Sequence, residues 1–416
     1  MAGSALRTDT EQVTALFFGL ALCAVPVSIA VAESLLGLAL LSFLIALLKH
    51  RAIVHLPRVF RYWLAWAVLE ILSGLHSPSI RSGWGELRHL LLLAALFLLA
   101  PTLRRDSDRI TVWCGIALTS TLGSMFLIGH FVWGLLFYRG PLQSVVYLRS
   151  GGLLHNWMVY GTVEILALCG LLELWRYFPE KRRWLFPVAV VNAMAIAVSL
   201  TRMLWICAVV LLALHLLWHR SKGLWAIPVV AAVVYFAGPS AIRARIADSI
   251  DPAYYSNAER VQMLRIGWKM IRENPLFGVG PGRVEGLYTK YLAPGDPIPA
   301  YHGHLHNNVV ELAAEFGLPV TAAALLFVIV LFHDLLARFR MASDRNQQFL
   351  CRTSLLALTG FLLSGLFDYT YGHSLGLILL SFAVLSPLTM PASAGPMPTS
   401  PEGFRRVRQS LAPALR

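Results

Sequence analysis

The chain has 416 residues, of which 57% are apolar and only 14% charged, with a mean hydropathy of +0.64. A soluble domain carries about a quarter charged residues, so an ordinary soluble globule is excluded, and so is a disordered chain. Thirty-five Lys and Arg against 22 Asp and Glu give a formal charge of +13; in a chain this apolar, that surplus points to membrane orientation and anionic lipid headgroups, not to nucleic acid. The five cysteines, Cys23, Cys114, Cys169, Cys207 and Cys351, sit in or beside apolar runs with no C-x-x-C spacing. They read as small core residues, neither a disulfide framework nor a metal site.

A spanning helix needs about 20 largely apolar residues. In chain order the apolar runs predict twelve spans: 13–31, 33–48, 60–76, 87–102, 110–137, 152–174, 184–201, 203–219, 223–239, 318–336, 352–368 and 372–390. The first lacks a strongly basic start and leads straight into the second, so it is expected to stay as a span rather than be cleaved as a signal peptide. With the N-terminus inside, twenty-two Lys and Arg fall in the inner segments and five in the short outer loops. That asymmetry places both termini in the cytoplasm and the long segment after the ninth span outside. The fold class is therefore an all-α polytopic membrane protein of about twelve transmembrane helices with one large, partly helical periplasmic loop. Its parts are nine helices in 1–239, the loop in 240–317, three helices in 318–390, and a tail in 391–416. The tail is rich in Pro and Ser, then basic, and is expected to be disordered near the anionic inner leaflet.

The long loop is expected to fold, because structureless loops of that length are uncommon. Ser256 with Glu259 three residues on forms a capping box, followed by an apolar series of Val261, Leu264, Trp268 and Ile271 and a stop at Pro275. The next stretch, PLFGVGPGR over 275–283, has the glycines of a phosphate loop but not its lysine and hydroxyl residue, so it reads as a turn.

Three outward features could carry chemistry. Arg202, in a tight hairpin between two spans, either snorkels to headgroups or binds an anion. On the loop helix, Arg265, Lys269 and Arg272 share one face and make a basic stripe, solvated or headgroup-facing. Arg260 points elsewhere, roughly 140° around the helix from Arg265. It sits in the expected first turn, against the helix dipole, which suggests an anion partner or an acid such as Glu259. The third feature is the alternation of His302, His304 and His306. No cysteine or carboxylate at ligand spacing accompanies it, so a metal is not expected. His306 precedes a helical pattern closed by Gly317 and Pro319. The positive end of that helix disfavours imidazolium, and a neutral ring can accept a proton; a plain helix-capping histidine is the alternative.

His306-Asn307, nine residues, then Gly317 resembles the signature of the O-antigen ligase and polymerase family, with Val320 departing from its last position. Thr201-Arg202 after a span resembles the family too, as does Ser256-x-x-x-Arg260 followed by Trp268 to Gly280. The span count and the large loop between spans nine and ten also fit, and among branches the length looks like the O-antigen ligases. The resemblance implies a metal-independent, inverting glycosyltransferase of the GT-C class without a cofactor. It implies a multi-pass protein of the bacterial inner membrane with a periplasmic active site. The donor would be O-antigen glycan on undecaprenyl pyrophosphate and the acceptor the lipid A–core oligosaccharide. His306 would be the general base. Arg202 and Arg260 would hold the pyrophosphate, with Arg265 a weaker candidate and Asn307 at the substrate through its motif position. The same family includes O-antigen polymerases and protein O-oligosaccharyltransferases. A secondary transporter is the reading from another class, supported by Glu70 and Glu164 inside spans three and six; the alternative for these acids is a neutral carboxyl or a pairing with an arginine such as Arg88.

Overall fold

A computed structural model describes residues 9–389, apart from 50, 51, 53, 79–82, 84, 86, 141, 238, 239, 300 and 301. The expected tail, 391–416, lies outside the described residues. Among the described residues there are α-helices and short 3-10 turns but no strand. The helices are α1 (Asp9–Ala24), α2 (Ile29–Leu48), α3 (Phe60–His76), α4 (Arg88–Leu99), α5 (Asp106–Phe137), α6 (Trp157–Tyr177), α7 (Arg182–Val198), α8 (Arg202–Trp218), α9 (Ala226–Ala237), α10 (Ser240–Ile250), α11 (Tyr255–Glu273), α12 (Val284–Leu287), α13 (Asn308–Phe316), α14 (Leu318–Met341), α15 (Arg345–Ser364) and α16 (Ser374–Leu388).

The apolar runs overlap helices, so the protein is an all-α polytopic membrane protein; the first run, 13–31, is broken after Ala24, and its last residues belong to α2. Four helices, α2, α5, α6 and α14, are long and apolar enough to cross a membrane by themselves. Leu16, Leu48, Leu91, Leu118 and Ile329 are exposed, an outer surface that suits lipid rather than water. Inside, α15 packs between α6 and α16, α14 against α3, and α5 against α6 and α7. The run before the last differs from its expectation at both ends. The run 352–368 starts earlier, at Arg345, and its helix stops at Ser364, so Asp368 lies in the loop before α16.

The intramembrane acids have local partners. Glu70 Oε1 lies 2.6 Å from His89 Nε2 of α4, so its partner is His89 and not Arg88. Glu164 accepts a 2.6 Å hydrogen bond from Ser120, within a network that includes Asn192 and Ser124. A nearby imidazole or hydroxyl lowers the cost of burying each acid.

Segment 240–317 is folded around a core of its own, which includes Met263, Ile266, Met270, Val284, Tyr288, Leu305 and Ala314. It differs from its sequence expectation in two ways. First, α11 begins at Tyr255 with Tyr254 as N-cap and no side-chain cap bond, so Ser256 is not the cap and Arg260 lies in the second turn. Second, of the expected apolar series only Ile271 is buried; Val261, Leu264 and Trp268 are exposed, and the buried face also carries Gln262, Met263, Ile266, Gly267 and Met270. Gly267 explains the choice of face. A Cβ there would stand 2.4 Å from Val310 and 2.8 Å from Leu305, so the missing side chain lets α13 come close. The turn at 275–283 is a clamp on the far end of α13. Val279 and Gly280 donate to Ala314 O and Glu315 O at 2.8 and 2.9 Å, and Gly282 N donates to Glu315 Oε1 at 2.7 Å. Gly278, at φ +64°, passes so near Glu315 that a Cβ would fall 2.3 Å from its backbone.

Candidate active site

His306 is set at the mouth of α13 by its neighbours. Asn307 is the N-cap, accepting from Val309 N and Val310 N at 3.0 Å each, and donates through Nδ2 to Leu366 O at 3.2 Å. Asn308 ties the same helix end to the segment before α16, donating to Thr370 Oγ1 and accepting from Tyr371 N. His306 adopts φ +50°, uncommon for a residue with a side chain. Its Nδ1 lies 2.9 Å from Asp368 Oδ1, and Asp368 is 1% exposed. A carboxylate can only accept, so Nδ1 carries a proton, and in the neutral ring Nε2 would keep a lone pair. Burial by itself raises the Asp368 carboxyl. The hydrogen bond from His306, and the charges of His373, His306 and His304, outweigh burial and hold it below the usual range.

The other two histidines separate. His304 packs edge-on to His306 with ring centroids 4.5 Å apart. Burial first, and then the neighbouring His306, push its pKa down to about 4. His302 turns away, with Nδ1 3.1 Å from Pro299 O and its ring against Tyr288. A cation could therefore be held by His304, His306 and Asp368, whose ligand atoms lie within 4.8 Å of one another, but not by the three alternating histidines.

The arginines converge from three elements. Arg202, the first residue of α8, is 8% exposed, so it does not snorkel. It donates to Asp248 O at 3.2 Å, Asn257 Oδ1 at 2.7 Å and Ser256 Oγ at 3.1 Å. The Ser256 hydroxyl thus holds Arg202 instead of capping α11. Arg245 of α10 donates to Tyr254 OH at 3.0 Å, and Arg202 and Arg245 lie over the Tyr254 ring at 5.5 and 5.7 Å. Burial lowers the Arg260 guanidinium; Asp368 pulls it back up, and Arg245 adds to the lowering. Arg149 is lowered by burial and then by Arg245, with Arg260 a further repulsive neighbour. Arg149, Arg202, Arg245 and Arg260 thus repel one another as neighbours, and Arg260 reaches the field of Asp368, the partner of His306. Arg149 and Arg260 make no salt bridge among the described residues. Such a group is suited to an anion with several oxygens.

Two expected site residues are placed elsewhere. Arg265 is exposed, on the side of α11 turned away from Arg260, because the Gly267 contact fixes the rotation of that helix. The Asn307 side chain is taken up in capping and in the Leu366 contact, not turned to a substrate. Conversely, Asp368, Arg245 and Arg149 were not singled out by sequence. A signal existed for Asp368. The segment Asp368-Tyr-Thr-Tyr-Gly-His373 joins two spans on the face assigned to His306, but the apolar run absorbed its acid. An apolar cavity of about 140 Å³, lined by Trp66, Phe97, Leu312, Phe327 and Tyr371, reaches Asn308 from the helix bundle.

Residues 187–327 match the protein family described as O-antigen ligase. That stretch holds Arg202, Arg245, Arg260, His306 and Asn307, with Arg149 and Asp368 outside it. A comparison with curated proteins gives no match.

Proposed function

The chain belongs to the O-antigen ligase/polymerase family and is a glycosyltransferase-type enzyme acting on lipid-linked polysaccharide; on that premise we propose that it is the ligase. It moves O-antigen glycan from undecaprenyl pyrophosphate to the lipid A–core oligosaccharide, at the periplasmic face of the bacterial inner membrane. The observation that carries this reading is the His306–Asp368 pair beside the crowded arginines.

In the reaction, an acceptor hydroxyl attacks the donor's anomeric carbon as the bond from that carbon to the pyrophosphate oxygen breaks, with inversion. Nε2 of His306 takes the hydroxyl proton. Nδ1–H stays bonded to Asp368, whose charge steadies the imidazolium that forms. Negative charge grows on the leaving pyrophosphate, and Arg202, Arg245 and Arg260 receive it. Fixed guanidiniums remain charged and match phosphate oxygens in a bidentate fork. The chemistry asks for no metal or cofactor, since the arginines supply the positive charge. The apolar cavity beneath α13 offers a place for a lipid tail next to the reacting groups.

The lipopolysaccharide profile of a deletion strain tests the assignment. Loss of long chains on lipid A, with undecaprenyl-linked polymer retained, is the expected result. Lipid A–core capped by single repeats would make the protein the polymerase instead.

A further inference from the structure

Glu173 on α6 and His215 and His219 at the end of α8 form a second cluster of ligating groups, apart from the residues placed in transfer. Along the α8 axis it lies roughly 20–25 Å from Arg202, at about 1.5 Å per residue. Glu173 Oε1 is 2.8 Å from His215 Nδ1 and 3.4 Å from His219 Nε2. The three side chains are 2%, 5% and 6% exposed. The two imidazoles are four residues apart, on one face of the helix, with ring centroids 4.7 Å apart. All three ligand atoms lie within 4.8 Å of one another. Among the described residues, no lysine or arginine forms a salt bridge with Glu173.

We propose that Glu173, His215 and His219 form a site for a divalent transition-metal ion of zinc type, which clips α6 to α8 at the end of the bundle away from the active site. Ligands on a tetrahedral zinc stand roughly 3.3 Å apart at metal–ligand distances of about 2.0–2.1 Å. The observed 2.8 and 3.4 Å separations therefore need only small side-chain shifts to accept the ion. Two imidazoles and one carboxylate are a borderline-soft set that suits zinc over magnesium or calcium. On binding, the ring protons now shared with Oε1 leave or move to the opposite ring nitrogens. One divalent charge then answers a buried carboxylate. Its consequence is positional, because α8 carries Arg202 at its other end and the clip would fix the helix along its length.

The test uses full-length protein in detergent, purified without a polyhistidine tag, stripped with chelator and reloaded with Zn²⁺ alone. Metal analysis should give about one ion per chain in the wild type, falling to under about a tenth in Glu173→Gln and in His219→Ala. Thermal unfolding should shift upward on Zn²⁺ addition in the wild type and not in those variants. The double variant His304→Ala/His306→Ala should keep its ion, and with Co²⁺ it should show the visible absorption of a tetrahedral site. That last reading leaves the proposed ligands intact, so it does not depend on how their variants fold. An absent Co²⁺ band in the double variant overturns the proposal. So does a stoichiometric ion that survives Glu173→Gln and His219→Ala but is lost from the double variant.

Discussion

At the scale of single residues, the His306–Asp368 pair makes the sharpest demand. General-base assistance is typically worth about 10²- to 10⁴-fold, or roughly 3–5 kcal/mol. His306→Ala should lose that factor in a single-turnover assay with lipid-linked donor and core acceptor, while donor binding persists. Asp368→Asn keeps the shape but removes the charge that steadies the imidazolium, and should cost on the order of 10²-fold. A normal single-turnover rate in His306→Ala would sink its role as base. Among the arginines, Arg202→Lys, Arg245→Lys and Arg260→Lys keep charge but lose the planar fork, and each should be severely impaired. Lys269→Ala and Arg265→Ala should stay near wild type, because Lys269 donates to Tyr291 O and Arg265 is exposed. A lysine variant with wild-type transfer would reduce that arginine to a general basic contribution. His304 adds a dependence on pH. Burial pushes its folded-state pKa to about 4, below the ordinary 6.5. Between those values the unfolded chain binds the proton and the folded one does not, so stability is lost as pH falls from 6.5 toward 4. Melting curves of His304→Gln should be flatter across that window than those of the wild type; equal slopes would contradict the assignment.

Among the elements, α11 and α13 decide whether the site exists. They meet at Gly267, where Val310 and Leu305 occupy the space of a Cβ. Gly267→Leu cannot be accommodated without separating the helices, which would displace His306 from Asp368 and Arg260 from both. Transfer should fall by an order of magnitude or more, in line with the loss from misplacing reacting groups by about 1 Å. The protein should still insert, because the main core of the helix bundle does not include this contact. Trp268→Ala on the exposed face serves as the control and should leave transfer intact. If the two variants behave alike, the buried face of α11 has been misassigned.

For the whole molecule, the claim at stake is topology. The basic residues of the inner and outer segments stand at twenty-two to five, which predicts segment 240–317 on the periplasmic side. An alkaline phosphatase fusion near residue 290 should be active and one near residue 345 inactive. The reverse pattern would put His306 in the cytoplasm, away from a flipped lipid-linked donor, and would remove the proposed reaction along with the side assignment.

What the sequence determined by itself rests on local and additive signals. Apolar runs are periodic and long, so the all-helical membrane fold was legible before any packing was known. Arg202, Arg260 and His306 stand out in the sequence because their motifs are short and contiguous; the structure sets Arg202 near Arg260, and Arg260 near Asp368, the partner of His306. Tertiary structure alone decided the rest. Asp368 is 62 residues from His306, and within its own apolar run it looks like the end of a span. Arg245 and Arg149 match no motif, and become notable only where they crowd Arg202 and Arg260. Arg265 and Asn307 moved out of the expected set for reasons invisible in one dimension, the first through the rotation of α11 and the second through capping of α13. The hydrophobic series Val261, Leu264 and Trp268 has helical period and yet faces outward. Periodicity says that a helix has an apolar stripe, whereas the choice of buried face depends on which side a neighbour can approach. Here a glycine with no side chain to repel Val310 and Leu305 made that choice.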